Sequence, residues 1–468
     1  MNITAPLRRL ARIIPDVPAI IRADDTTISY AALDRVIDAV ARRLLEAGLC
    51  AGETIGLGIT GPDESRGLIT ALALARLGIA SSHPSLPAAR RIVFAPPAQP
   101  GDVAVGDAAF VPDPAEGPLD LHPGGTALLR RFASSGTTGQ PKPVAVSHAL
   151  QMARTQANIL APGGPSPCVR IVGVDLGITW GFTGALRTLW QGGTLVLTNP
   201  AAAARKLAQH RVQSLVLAPV GLRALLDALP ADAGPFEDLF TIEVGGDMIA
   251  PTLRRAASAR LGPVLVSYLG ASEAGGIASA PLGALRGAAG AVGFVHPGVE
   301  VEVVDAAGRV LPPGTLGRVR VRGELVVSGY DGETDGGGMF EGGWFYSGDL
   351  GSLDADGLLH LAGREGDVLN LGGVKVSARA VEAVLLEMPG VTDAAAFMVA
   401  DALGVPALWA AVVGPERLGR EAIEAFCRER LRDSFPRAVV QVAALPRNEA
   451  GKVRRDMLAA LARRGAGG

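Results

Sequence analysis

Ser134-Ser135-Gly136-Thr137-Thr138-Gly139-Gln140-Pro141-Lys142 follows Phe132 and Ala133, the end of an apolar run that reads as a strand. Two glycines let backbone N–H groups converge, the serine and threonine hydroxyls add donors, and Lys142 adds a point charge, a composition suited to a polyphosphate. Taken alone, such a segment is more often a solvated turn. No Gly-Lys-Ser/Thr follows the first glycine at P-loop spacing, so the common phosphate loop is excluded.

Around this loop, short apolar runs at 54–59, 169–174 and 194–198 alternate with helical stretches at 64–77 and 184–191. That alternation predicts α/β layers with largely parallel strands. Residues 30–47 place Leu33, Val36, Ile37, Val40, Leu44 and Leu45 on one helical stripe opposite Asp34, Arg35, Asp38, Arg42 and Arg43, with Ser29 as its cap. After about residue 282, stretches 301–304, 318–322 and 325–328 read as short strands. Val319 and Val321 alternate with Arg318, Arg320 and Arg322, which predicts a small β subdomain with one wet face. The glycine-rich 329–343 reads as a mobile or tightly turning loop and 94–117 as surface loop.

Beyond a boundary near 363–373, helices at 378–388, 420–434 and 456–463 alternate with strands near 392–399 and 408–413. The expected fold class is α/β: a large multi-layer N-terminal domain, 1–365, with α/β subdomains and a small β subdomain, then a smaller mobile α+β C-terminal domain, 366–468.

A chain of 468 residues with 48% hydrophobic and 19% charged residues exceeds one core and is not mostly disordered. Its net charge of -2 supplies no general attraction to nucleic acid, so no nucleic-acid partner is expected. Cys50, Cys168 and Cys427 lie far apart, without metal-site spacing, and suit a reducing compartment. No apolar run reaches the roughly 18 residues of a membrane span, and 1–15 lacks a secretory apolar region. The expected location is cytoplasmic.

Ser134 to Lys142 resembles the phosphate-loop signature of the adenylate-forming superfamily, which includes acyl-CoA synthetases, peptide-synthetase adenylation domains and luciferases. Further signatures follow in order. Gly245-Gly246-Asp247 resembles the segment lining the adenine pocket. Tyr268-Leu269-Gly270-Ala271-Ser272-Glu273 resembles the motif whose hydroxyl faces phosphate and whose glutamate helps hold Mg²⁺. Asp349, in Tyr346-Ser347-Gly348-Asp349-Leu350, matches the aspartate that accepts from the ribose hydroxyls, and Arg364 the arginine at the domain junction. Gly366 stands at the hinge, Gly372-Gly373 in the thiol-proximal loop, and Lys452, after Gly451, at the catalytic lysine. Two positions depart from the family pattern: Leu269 replaces the aromatic that stacks on adenine, and Gly366 the usual hinge Asp or Lys.

The resemblance implies that ATP and Mg²⁺ activate a small-molecule carboxylic acid to an acyl adenylate, releasing pyrophosphate. Thr138 and Glu273 are the implied metal-side residues, and Lys452 bridges carboxylate and α-phosphate. The acyl group then passes to coenzyme A or to a carrier-protein phosphopantetheine, the latter requiring an acyl carrier protein as partner. A catalytically degenerate binding protein of the same fold is the third reading. At the place where amino-acid-activating relatives carry an aspartate stands Thr179, which favours an acyl or aryl acid, with Asp175 close by. Trp180, Phe182 and Trp190 line the acid pocket or fill core, and His148 lines it or merely starts a helix.

Overall fold

A computed structural model of the protein describes residues 2–59, 64–96, 99–119, 121, 123–134, 141–160, 166–234, 236–285, 290–332, 338–365, 368–371, 374–400, 406–415, 420–431, 436–447 and 453–465. The fold is mixed α/β, with a large N-terminal part and a smaller C-terminal part, as the alternation predicts.

A fourteen-stranded sheet dominates the N-terminal part. One half is parallel, in the order Leu265–Ala271, Thr241–Gly245, Ser214–Leu217, Val169–Val172, Thr194–Val196 and Pro18–Ile21. These strands are Val/Leu/Ile-rich with almost no exposed position, as expected of a sheet covered by helices on both faces. From Gly275–Pro281 onward the pairing turns antiparallel, through Ala291–Val295, Leu358–Arg364, Trp344–Leu353, Gly317–Gly323 and Val299–Val304. This is the expected β subdomain, and its arginine face is wet but partnered: Arg320 pairs with Glu302 at 2.5 Å and lies 4.4 Å over the Trp344 ring. A separate six-stranded sheet holds Leu128–Ala133 and Pro143–Ser147 as an antiparallel pair at one edge.

Helix Tyr30–Glu46 buries Leu33, Val36, Ile37, Val40 and Leu44, and the Ser29 hydroxyl caps it by accepting the Ala32 N–H at 3.3 Å. Two readings of this helix need correction. Leu45 is 43% exposed. Asp38, assigned to the wet face, is buried, because buried Arg76 from helix Glu64–Leu77 and Arg8 both pair with it, at 2.7 and 2.8 Å. A charge this deep persists only when countered.

Residues 325–328 are also not a strand. The Leu325 carbonyl accepts from Arg154, and the Val327 N–H donates to the Glu273 carbonyl at 2.9 Å, so this backbone braces a neighbouring turn instead of a ladder. Within 94–117, Asp102–Ala104 pairs with Arg90–Val93 and Asp107–Phe110 forms a 3₁₀ turn, so that stretch is not wholly loop.

The C-terminal residues build a three-stranded sheet, Asp393–Ala400, Pro406–Val413 and Ala438–Gln441, a hairpin Val368–Leu371/Val374–Ser377, and helices Ala378–Glu387, Arg420–Leu431 and Arg455–Gly465. They carry their own apolar clusters around Val381, Leu408 and Phe397. Arg379 reaches Asp247 at 3.7 Å, and Glu365 pairs with Arg318 at 2.7 Å. Among the described residues no helix is long and apolar enough to cross a membrane.

Candidate active site

Residues 134–142 join the antiparallel pair Leu128–Ala133 and Pro143–Ser147, so the loop is a hairpin connection rather than a strand-to-helix turn. Its base is closed twice. The Ser134 N–H donates to the Lys142 carbonyl at 2.8 Å, and the Lys142 N–H donates to the Ser134 hydroxyl at 3.2 Å. Ser135, Gly136, Thr137, Thr138 and Gly139 lie outside the described residues, as do Lys452, Gly366, Gly372 and Gly373. On either side of Lys452, Arg447 and Val453 form an antiparallel bridge.

Tyr268 to Glu273 runs off the end of strand Leu265–Ala271 into the turn before Gly275–Pro281. Glu273 is 7% exposed and accepts from the Tyr330 hydroxyl at 2.9 Å. The Lys142 ammonium lies 4.7 Å from the centre of the same tyrosine ring, within cation–π range. Tyr330, itself buried, thus brings the cation at the foot of the loop and the motif carboxylate to one side chain. Asp331 adds a second tie: its N–H donates to the Pro143 carbonyl at 2.9 Å and its carboxylate pairs with Arg131 at 2.5 Å.

Arg154, on helix His148–Leu160, holds the turn from behind. Its guanidinium donates to the carbonyls of Ser272 at 3.0 Å, Glu273 at 2.8 Å and Leu325 at 2.8 and 2.9 Å. Burial pushes its pKa down to about 10, and the nearby Glu273 opposes that fall. Gly275, at φ +71°, leaves the space this side chain uses, since a Cβ there would stand 3.3 Å from the Arg154 Cγ. Sequence reasoning missed both Tyr330 and Arg154; the only local signals are an aromatic inside a glycine-rich stretch and an arginine inside an otherwise packed helix.

Strand alternation separates the two faces of the motif. Leu269 and Ala271 pack toward the β-subdomain core. Tyr268 faces the other way and stacks on Trp180, with ring centres 5.3 Å apart and planes 4° from parallel. Gly245 is required beside it, because a Cβ there would stand 2.4 Å from the Tyr268 carbonyl oxygen. Gly246 follows at φ +81°, and exposed Asp247 turns toward Arg379. Asp349 and Arg364 face each other across neighbouring strands, 3.3 Å apart.

Of the acid-pocket candidates, the structure brings only Trp180 to this aromatic stack. Helix Thr179–Trp190 begins earlier than the sequence suggests, which puts Thr179 and Trp180 in its first turn. Thr179 is buried, and its hydroxyl has no hydrogen-bond partner among the described residues. Phe182 is core, edge-on to Phe132 at 5.9 Å, and Trp190 donates to the Ile3 carbonyl at 3.1 Å. His148 is wholly buried, and its Nδ1 accepts the Ile3 N–H at 3.3 Å. Asp175 accepts the Gly177 N–H at 2.5 Å and lies beside Arg130 and Glu64, whose carboxyl burial and Asp175 push up to about 7. The Asp175 carboxylate is thus engaged within its own turn.

Burial pushes the His148 imidazole down from 6.5 to about 4. The unfolded chain therefore binds the proton first. Stability from this residue is intact above pH 6.5 and is lost as pH falls toward 4, by about 3 kcal/mol. His148→Asn, which keeps an acceptor for Ile3, is expected to flatten that part of the unfolding profile, measured by thermal melts from pH 4 to 7.

Buried Glu273 stands just past the carboxyl end of the parallel strand Leu265–Ala271, the placement at which open α/β sheets hold nucleotides. The model of the AMP-binding enzyme family matches residues 132–331, and that of the AMP-binding enzyme C-terminal domain matches 380–452. The chain is 28% identical to the medium-chain fatty-acid–CoA ligase of Escherichia coli strain K12, across 96% of this chain and 88% of that protein. It is 30% identical to the sulfoacetate–CoA ligase of Cupriavidus necator, across 71% and 67%. The amide bond synthetase of Marinactinospora thermotolerans superposes with a TM-score of 0.81 at 27% identity, over 98% of this chain and 99% of that one. The chain belongs to the AMP-binding, adenylate-forming enzyme family.

Proposed function

We propose that the protein is an AMP-forming acid–thiol ligase: it activates a small-molecule carboxylic acid with ATP, releasing pyrophosphate, and passes the acyl group to coenzyme A. The observation that carries this is the convergence of Lys142 and buried Glu273 on Tyr330. The attacking carboxylate and the triphosphate are both anionic, so their approach needs cations and oriented donors. The loop 134–142 grips the β and γ phosphates, Asp349 accepts from the ribose diol with Arg364 beside it, and Lys452 bridges carboxylate and α-phosphate.

Among the described residues no cluster of three or more His, Cys, Asp or Glu could hold a metal. Magnesium fits nonetheless, because in ATP sites it takes one or two protein ligands and completes its shell with phosphate and water. Glu273 and the Thr138 hydroxyl would hold it, and it would neutralise charge on the polyphosphate. Residues 366–468 form the mobile C-terminal domain in this reading, turning at Gly366 to present Gly372-Gly373 to the thiol. Dispersed cysteines, with Cys168 and Cys427 buried, favour the cytoplasm.

The test is pyrophosphate release with ATP, Mg²⁺ and a panel of carboxylic acids, followed by transfer to coenzyme A, to a pantetheinylated carrier protein and to amines. Amines are included because the likeness to an amide bond synthetase spans the whole chain. Thioester formation with free coenzyme A supports the reading. Silence across the panel overturns it in favour of a non-catalytic binding protein.

Tyr330→Phe keeps the ring under Lys142 and removes the hydroxyl that Glu273 accepts from. Net loss of a hydrogen bond to a charged acceptor is about 1.5–3 kcal/mol, so the Mg²⁺ concentration at half-maximal pyrophosphate exchange is expected to shift by tenfold or more. Titration calorimetry of MgATP binding checks the same change without turnover.

A further inference from the structure

Trp180 and Tyr268 meet at the carboxyl ends of the parallel strands, where this sheet leaves its crevice. Tyr268 is immobilised there on every side. Asn158 donates to its hydroxyl at 3.4 Å, Arg187 donates to the Asn158 side-chain Oδ1 at 3.1 Å, and Arg187 pairs with Glu243 at 2.6 Å. Asn158, Arg187 and Glu243 are all buried. On the opposite side, glycines make the slot: a Cβ on Gly270 would stand 3.1 Å from the Tyr268 ring, and one on Gly276 2.7 Å from its hydroxyl. The Trp180 ring lies flat on this fixed ring, and its edge closes on the Gly245 position, where a Cβ would be 3.3 Å away. Such a stack resists insertion. A substrate chain would have to separate two parallel stacked aromatics, one of them held through Asn158 by a buried ion pair.

Building on the proposed activation of a carboxylic acid, we propose that the Trp180–Tyr268 stack is the end wall of the acid pocket and restricts the enzyme to short acids. Tyr268 is the anchored backing, and Trp180, in the first helical turn, is the residue that sets the depth. The Asp175 carboxylate is taken up by the Gly177 N–H of its own turn, in agreement with an acid that carries no ammonium group. Shape rather than charge then selects the substrate.

The test compares kcat/KM for pyrophosphate release with propionate, hexanoate, octanoate and benzoate in wild type, Trp180→Ala, Trp180→Leu and Tyr268→Phe. Each methylene in a hydrophobic pocket is worth roughly tenfold or more in discrimination, so wild type is expected to favour propionate over octanoate by at least about a hundredfold. Trp180→Ala should raise the octanoate-to-propionate ratio at least about tenfold, with Trp180→Leu intermediate. Tyr268→Phe keeps the stacked ring and is expected to keep the wild-type ratio. If the alanine and leucine variants turn over with the wild-type ratio, or wild type already prefers octanoate, the wall assignment is wrong while the activation reading stands. No release with any acid overturns both.

Discussion

Lys452→Ala is expected to slow acyl-adenylate formation by about 10²–10³-fold, the usual loss when one oriented donor to developing charge is removed, while thioester formation from supplied acyl adenylate proceeds at the wild-type rate. The asymmetry follows from timing. Lysine is needed where carboxylate oxygen meets α-phosphate, and in the proposed cycle 366–468 has withdrawn it before the thiol attacks. ATP–pyrophosphate exchange measures the first half-reaction, and product formation from synthetic adenylate measures the second. Equal loss in both would remove Lys452 from its role. A change confined to KM for ATP would make it a binding residue only.

Arg154→Leu should show the second largest effect, on stability and activity together. The arginine donates to the carbonyls of Ser272, Glu273 and Leu325, and each buried carbonyl left without its donor costs about 1–3 kcal/mol. Val327 still donates to the Glu273 carbonyl. A loss on the order of 3 kcal/mol is therefore expected, read as a lowered melting temperature. The turn that presents Glu273 loosens too, so the surviving folded fraction should need more Mg²⁺ for pyrophosphate exchange. Arg154→Lys restores the charge but not the planar fork and should recover only part of either property. Full activity in a folded Arg154→Leu variant would show that Glu273 is placed without it.

Legibility in the sequence followed distance along the chain. The strand into Ser134, the helices at 30–46 and 64–77 and the two-part fold were readable because burial of an apolar stripe or run is a local pattern. Errors fell where a distant residue changed a local preference. Asp38 reads as solvent-facing until Arg76, 38 positions away, is found against it. Residues 325–328 read as a strand until Arg154, 171 positions earlier, takes the Leu325 carbonyl. The acid-pocket candidates sorted themselves the same way: Phe182 and Trp180 are two positions apart on one helix, yet one packs on Phe132 and the other on Tyr268.

By itself the sequence determined the family and the order of its motifs, because hydroxyls, glycines, carboxylates and lysines at set places are what adenylation chemistry requires of the chain. It also determined that no aromatic precedes Gly270 directly. Only the tertiary structure decided that Tyr268 meets Trp180 while Leu269 packs on the β-subdomain core, since what each face of a strand covers depends on register and not on residue type. Only it joined Lys142 to Glu273, through a tyrosine 57 positions beyond that glutamate, because side chains so far apart meet only when two separate sheets are packed together.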